Sequence, residues 1–135
     1  MKLSHKIIFT LPFFILMITI FILSNQSRLP VPMDSFEFED KIIHLIAYFI
    51  LGITTILSSI VNFPNLSKNQ IIILAILIGC FYGFTDEIHQ GYISGRDASI
   101  FDWFADATGI ILSTFLYNLI LKYFKKFVLL KVKTQ

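Results

Sequence analysis

Apolar residues fill four long stretches of this chain, each too continuous for the alternation of a membrane barrel strand. Residues 7–23 carry no charge. Residues 42–61 hold one ionisable group, His44, near the start. Residues 71–85 are uncharged and then meet Asp86 and Glu87, and residues 103–121 enclose Asp106. A helix needs roughly 20 mostly apolar residues to cross the hydrocarbon core of a bilayer. The pattern predicts helices over about 7–24, 42–61, 71–88 and 102–121, followed by a basic tail at 122–135. No hydrophilic block is long enough for a second domain. The expected fold is therefore all-α, a single polytopic domain over 1–135 with four transmembrane helices in a bundle.

The first stretch also has the basic start of a secretory signal, with Lys2 and Lys6. Its apolar run is long for a signal core, however, and Ser24-Asn25-Gln26-Ser27 lacks a small-x-small cleavage pattern. An uncleaved first helix is expected. Pro30 and Pro32 make the connector to the second helix extended.

Polar residues within the apolar stretches fall at helical spacing. His44, Tyr48, Gly52, Thr55 and Ser59 share one face of the second helix, with Lys41 extending it. Gly79, Gly83, Asp86 and Gln90 share a face of the third. Asp102, Asp106, Gly109 and Ser113 share a face of the fourth, flanked by Ala105. Small residues let membrane helices approach closely, and ionisable residues avoid lipid. The three stripes are expected to face one another, and Gly79-xxx-Gly83 to serve packing within the chain rather than dimerisation.

Lysine and arginine give the stripes an orientation. Lys2, Lys6, Lys68 and the tail lysines 122, 125, 126, 131 and 133 would share one side; Arg28, Lys41 and Arg96 would share the other. The richer side is cytoplasmic by the positive-inside rule. Both termini are thus expected inside. All nine acidic residues, from Asp34 to Asp106, then lie in outward loops or at outward helix ends. The lysine-rich stretch, interleaved with Phe124 and Phe127, reads as a cytoplasmic surface helix or tail that favours anionic lipid, with orientation anchor as its expected role.

Composition narrows the function. The 135 residues are 56% hydrophobic and 15% charged, with a mean hydropathy of +0.76. Soluble domains carry about 25% charged residues, so the composition argues against a soluble enzyme. A net charge of +2 gives no footprint for nucleic acid, and Cys80 alone allows no intrachain disulfide.

The outward ends gather Lys41, His44, Tyr48, Asp86, Glu87, Gln90, Arg96, Asp102 and Asp106 as candidate ligand-binding residues, with His44, Asp86 and Asp106 as candidates for catalysis. Asp106 lies one turn past Asp102, about 6 Å deeper, and needs a partner; Arg96 and Lys41 are the candidates. Ser99 and Asp102 form an S-x-x-D, so Ser99 is expected to cap the fourth helix. His89 is expected to be a solvated loop residue, and Ser94-Gly95-Arg96-Asp97 a turn. His44, His89, Asp86 and Asp106 include metal-ligand residue types, but without H-E-x-x-H or comparable spacing no metal or other cofactor is expected.

The ordered set Asp40-Lys41-x-x-His44-x-x-x-Tyr48-x-x-x-Gly52, Asp86-Glu87-x-His89-Gln90 and Arg96-x-x-Ser99-x-x-Asp102-x-x-x-Asp106-x-x-Gly109 resembles the VanZ-like family over about residues 8–121. Ser24-Asn25-Gln26-Ser27 fits that family's polar segment. The resemblance implies a small integral membrane protein of a bacterial envelope, and its namesake is associated with resistance to teicoplanin-type glycopeptides. The family pattern commonly has Asn where this chain has Asp106. The resemblance assigns no catalytic roles. Two functional expectations follow. One is a pocket that binds an envelope lipid, a peptidoglycan precursor headgroup or a lipidated drug. The other is a membrane-embedded hydrolase or transferase using His44, an aspartate and Arg96. A purely structural polar lock within a larger membrane assembly is a third.

Overall fold

The structure is a computed structural model that describes residues 3–27 and 39–133, with side chains through residue 127. Arg28 and the connector holding Pro30 and Pro32 lie outside the described residues. Five helices follow in order: α1 (Leu3–Ser24), α2 (Glu39–Asn62), α3 (Lys68–Gln90), α4 (Ile100–Thr114) and α5 (Tyr117–Lys133). The described residues contain no strand. α1, α2 and α3 are each long and apolar enough to cross a membrane. α4 and α5 qualify only as a pair, bent by 55°.

That bend corrects the expected continuous helix over 102–121, and the basic stretch after it continues as helix through Lys133. No proline or glycine marks the break. Instead the Ser113 and Thr114 hydroxyls donate to the carbonyls of Ile110 and Ile111, at 2.6 and 2.7 Å. Backbone bonds from Phe115 to Leu112 and from Leu116 to Ser113 then tighten the turn. Hydroxyls that bond back to the preceding turn bend helices.

The start of α3 is set by a capping box. Ser67 Oγ accepts from the Gln70 backbone N–H at 3.4 Å, and Gln70 Oε1 accepts from the Ser67 N–H at 2.8 Å. Ser99 differs. It occupies the N-cap position of α4, but its side chain makes no capping bond. Ser67→Ala should therefore cost about 1 kcal/mol of stability and Ser99→Ala less than about 0.5 kcal/mol. Thermal unfolding of the two variants in detergent checks this, and equal losses would contradict it.

The distribution of polarity is that of a protein in lipid. Buried positions include Ser24, His44, Thr55, Ser59, Asp86, Glu87, Gln90, Asp102, Asp106 and Ser113, whereas Ile15, Ile18, Ile46, Leu77, Phe81 and Phe104 are all more than half exposed. Water would reverse that arrangement; hydrocarbon favours it. The chain is a helical membrane-embedded protein.

The three small-residue stripes do meet. α2 packs most extensively on α4. Gly109 sits against the backbone of Leu45 and Phe49, Gly52 against Ser113, Gly79 against Ile110, and Gly83 against Asp106 and Tyr48. The glycines of α3 thus serve packing within the chain. Below this polar end, Ile56, Ile60, Ile71, Ala75 and Tyr117 form an apolar cluster. α1 lies at the periphery and is tied by one face. Thr10 accepts from Asn62 Nδ2 at 2.6 Å, Met17 O accepts from the Tyr82 hydroxyl at 2.6 Å, and Ser24 Oγ accepts from Gln90 Nε2 at 3.4 Å. These three residues are seven apart, so they recur on the same side of the helix. Phe9 meets Phe124 and Phe127 edge-on, which puts the start of α1 and α5 at one end of the bundle.

Candidate functional site

At the opposite end, α2, α3 and α4 deliver ionisable groups to one interior. The close approach of α2 and α4 at Gly109 sets His44 against Asp106. His44 Nδ1 lies 2.9 Å from Asp106 Oδ1, a hydrogen bond when that nitrogen carries the proton. Asp106 has no exposed surface. The sequence offered Arg96 or Lys41 as its partner; both expectations are corrected. Lys41 pairs instead with Asp102, at 3.1 Å. Arg96 forms no ion pair among the described residues. The reason is depth: Asp102 is one turn nearer the helix end, within reach of the half-exposed Lys41, while Asp106 is level with the buried His44.

Glu87 completes this inner group. Its Oε2 accepts from the Ser99 backbone N–H at 2.9 Å, and its Oε1 faces His44 Nδ1 at 3.8 Å. The N–H that a reciprocal capping box at Ser99 would satisfy from Asp102 is thus satisfied from α3. Glu87 in turn is held by that bond with one oxygen aimed at the imidazole. On the other side of the ring, Nε2 lies 4.0 Å from Asp40 Oδ1. Asp40 was not singled out as a site residue from the sequence, although its i, i+4 spacing to His44 carried the signal.

Asp86 is buried but turns away from this group, accepting from Gln90 Nε2 at 3.2 Å. The hundred-degree step between adjacent helix residues separates it from Glu87. The Tyr48 ring lies parallel to His44, centroids 6.5 Å apart, and its buried hydroxyl has no partner among the described residues. His89 is not a loop residue. It lies within α3 and stacks on Phe21 at 4.9 Å between centroids. The expected turn before α4 is present, with Gly95 at φ +85°, close to Ser27 of the polar segment after α1.

A small cleft opens beside the cluster between α1 and α2. Ile20, Leu23 and Ser24 of α1, Ile43, His44, Ala47 and Tyr48 of α2, Asp86 and Arg96 line it, and it has about 40 Å³ of room. The α1 residues were missed by sequence reasoning, because nothing in an apolar run distinguishes the side that faces a neighbour. A larger apolar groove of about 650 Å³ lies between α1, α2 and α5 at the other end, remote from these groups.

Electrostatics favour a positively charged occupant. Asp40, Asp86, Glu87, Asp102 and Asp106 give five carboxylates, against Lys41, Arg96 and at most one charge on His44. Each acidic side chain at membrane depth costs roughly 2.5–3.5 kcal/mol on insertion scales, so this concentration needs compensation. Chemically, the arrangement can orient an imidazole through Asp106, hold a cationic group, or relay a proton between His44 and a carboxylate. No protein-family model, curated protein or solved structure matches the chain.

Proposed function

We propose that the chain is a VanZ-like integral membrane protein of a bacterial envelope. Its four spans count α4 and α5 as one bent crossing, and both termini face the cytoplasm. The polar pocket then opens on the outer side of the cytoplasmic membrane. There it binds the polar end of an envelope lipid, a peptidoglycan precursor or a lipidated glycopeptide, and so contributes to resistance against teicoplanin-type drugs.

One observation supports this most. Glu87 and Asp106, beside or within the motifs that carry the resemblance and on separate helices, meet His44 of a third helix at one end of the bundle. The positive-inside distribution of lysines supports the orientation. The cleft's limited room admits an ammonium or a phosphate oxygen rather than a whole headgroup, with the remainder of the amphiphile at its mouth. The acidic groups suit the former and Arg96 the latter.

Expression in a sensitive bacterium should raise the inhibitory concentration of a lipidated glycopeptide more than that of a non-lipidated one or an unrelated envelope drug. Asp86→Asn and Arg96→Ala should abolish the rise while the protein still inserts. Full protection by both variants would remove the pocket from the explanation.

The second reading, a membrane-embedded hydrolase or transferase acting on a lipid-linked substrate, is favoured by the His44–Asp106 pair. A buried aspartate on one ring nitrogen orients an imidazole to move a proton through the other. Purified protein turning over envelope lipids, with loss of product in His44→Ala, would support it.

A further inference from the structure

We propose that His44, Glu87 and Asp106 bind a divalent cation, best matched by zinc, in the interior formed by α2, α3 and α4. This rests on the reading of the same polar end of the bundle as a ligand site, and it names an occupant for the group beside the cleft.

The ligand atoms of these three residues lie within 4.8 Å of one another, one from each helix. Two ligands about 2.1 Å from one zinc ion are about 3.0 Å apart at a right angle and about 3.4 Å apart at a tetrahedral angle. The spacing of His44 Nδ1 to Asp106 Oδ1 is 2.9 Å and to Glu87 Oε1 is 3.8 Å, so small side-chain adjustments bring all three onto one ion. All three residues are more than nine-tenths buried.

Two further observations point to an occupant. Glu87 Oε1 and Asp106 Oδ2 are buried oxygens without a hydrogen-bond partner among the described residues. Unpaired carboxylate oxygens in a membrane interior are costly. Charge also closes with the ion: a neutral imidazole, two carboxylates and a divalent ion sum to zero. Metal-bound histidines orient their second nitrogen through a carboxylate or carbonyl, and Asp40 stands on that side of the ring.

A second group, Asp40, His44 and Asp102, is also close enough to share an ion. Lys41 already occupies Asp102 at 3.1 Å, so a cation there would compete with a fixed ammonium. The inner group has no such rival. One nitrogen and two carboxylate oxygens suit zinc or manganese better than magnesium, which keeps most of its water. Three protein ligands leave a fourth position for water or the polar end of an amphiphile.

The test uses the whole chain in detergent, with any affinity tag removed, stripped of metal and equilibrated with zinc, manganese or magnesium in turn. Elemental analysis should find about one zinc per chain, with weaker manganese uptake and no retained magnesium. Glu87→Gln and Asp106→Asn should each weaken zinc binding at least about 100-fold, since outer-shell changes alone cost about 10–100-fold. Asp40→Asn, an outer-shell change, should cost less, about 10–100-fold. Less than a tenth of an equivalent of zinc and of manganese in the parent overturns the proposal, as does parental zinc affinity in both inner variants. Should those variants fail to fold, ¹⁵N spectra of the parent decide. A zinc-dependent shift at His44 Nδ1 supports the site, and a shift at His5 or His89 instead overturns it. Zinc binding without any drug phenotype would leave this inference standing and remove the resistance reading; a drug phenotype in an ion-free chain would do the reverse.

Discussion

Gly109→Ala should lower the stability of this protein by about 3 kcal/mol, at the upper end of what overpacking costs, and more than the same change at any other helical glycine. A Cβ at Gly109 would run into the Leu45 carbonyl oxygen and lie 2.8 Å from the Phe49 nitrogen. Both are backbone atoms of α2, so no rotamer relieves the clash; the helices must separate. At Gly79 the obstruction is the Ile110 side chain, which can turn aside. Chemical unfolding in detergent should rank Gly109→Ala well below Gly79→Ala. Ile110→Val should rescue the Gly79 variant and leave the Gly109 variant unimproved. Equal losses at the two positions would show that the α2–α4 approach is not what limits the bundle. Because His44 is one residue before Leu45, separation of these helices would also break its bond to Asp106.

Asp106→Ala is expected to be of similar severity, about 3 kcal/mol, because removing one partner of a buried pair leaves the other uncompensated. Asp106→Asn should cost about half as much. The amide oxygen still accepts from His44 Nδ1, and the residue loses a buried charge at the same time. A double-mutant cycle with His44→Ala separates the pair from its surroundings. Coupling of about 1.5 kcal/mol or more is expected, above the average of about 0.6 kcal/mol for polar pairs between membrane helices. Coupling near zero would mean that each residue is held by other groups and that the 2.9 Å contact contributes nothing to the fold.

Much of this architecture was legible in the chain. Continuous apolar runs placed the helices, because hydrocarbon imposes a length and forbids unpaired backbone. The i, i+4 rows of His44, Tyr48 and Gly52, of Gly79, Gly83 and Asp86, and of Asp102, Asp106 and Gly109 identified the faces that meet, because no other placement hides those groups from lipid. What could not be read was who pairs with whom. Glu87 and Asp86 are neighbours in sequence, yet one faces the imidazole and the other Gln90; the choice depends on the rotation of α3 about its own axis. The bend after Thr114 depends on where two hydroxyls find acceptors. His44, Glu87 and Asp106 were all in the candidate set, but that these three form the inner group could not be read, for a related reason. They stand 43 and 19 residues apart in sequence, on three helices, and local spacing carries no trace of their mutual contact.

The His44–Asp106 contact also spans time. Its two ends are 62 residues apart, and ribosomes add roughly 5–20 residues per second. About 3–12 s therefore separate the arrival of His44 from that of Asp106. Throughout that interval α2 presents an imidazole, with Asp40 beside it, and lacks the carboxylate that will complete the pair. Until α4 arrives, the imidazole must be kept from lipid by something other than the carboxylate that finally pairs with it.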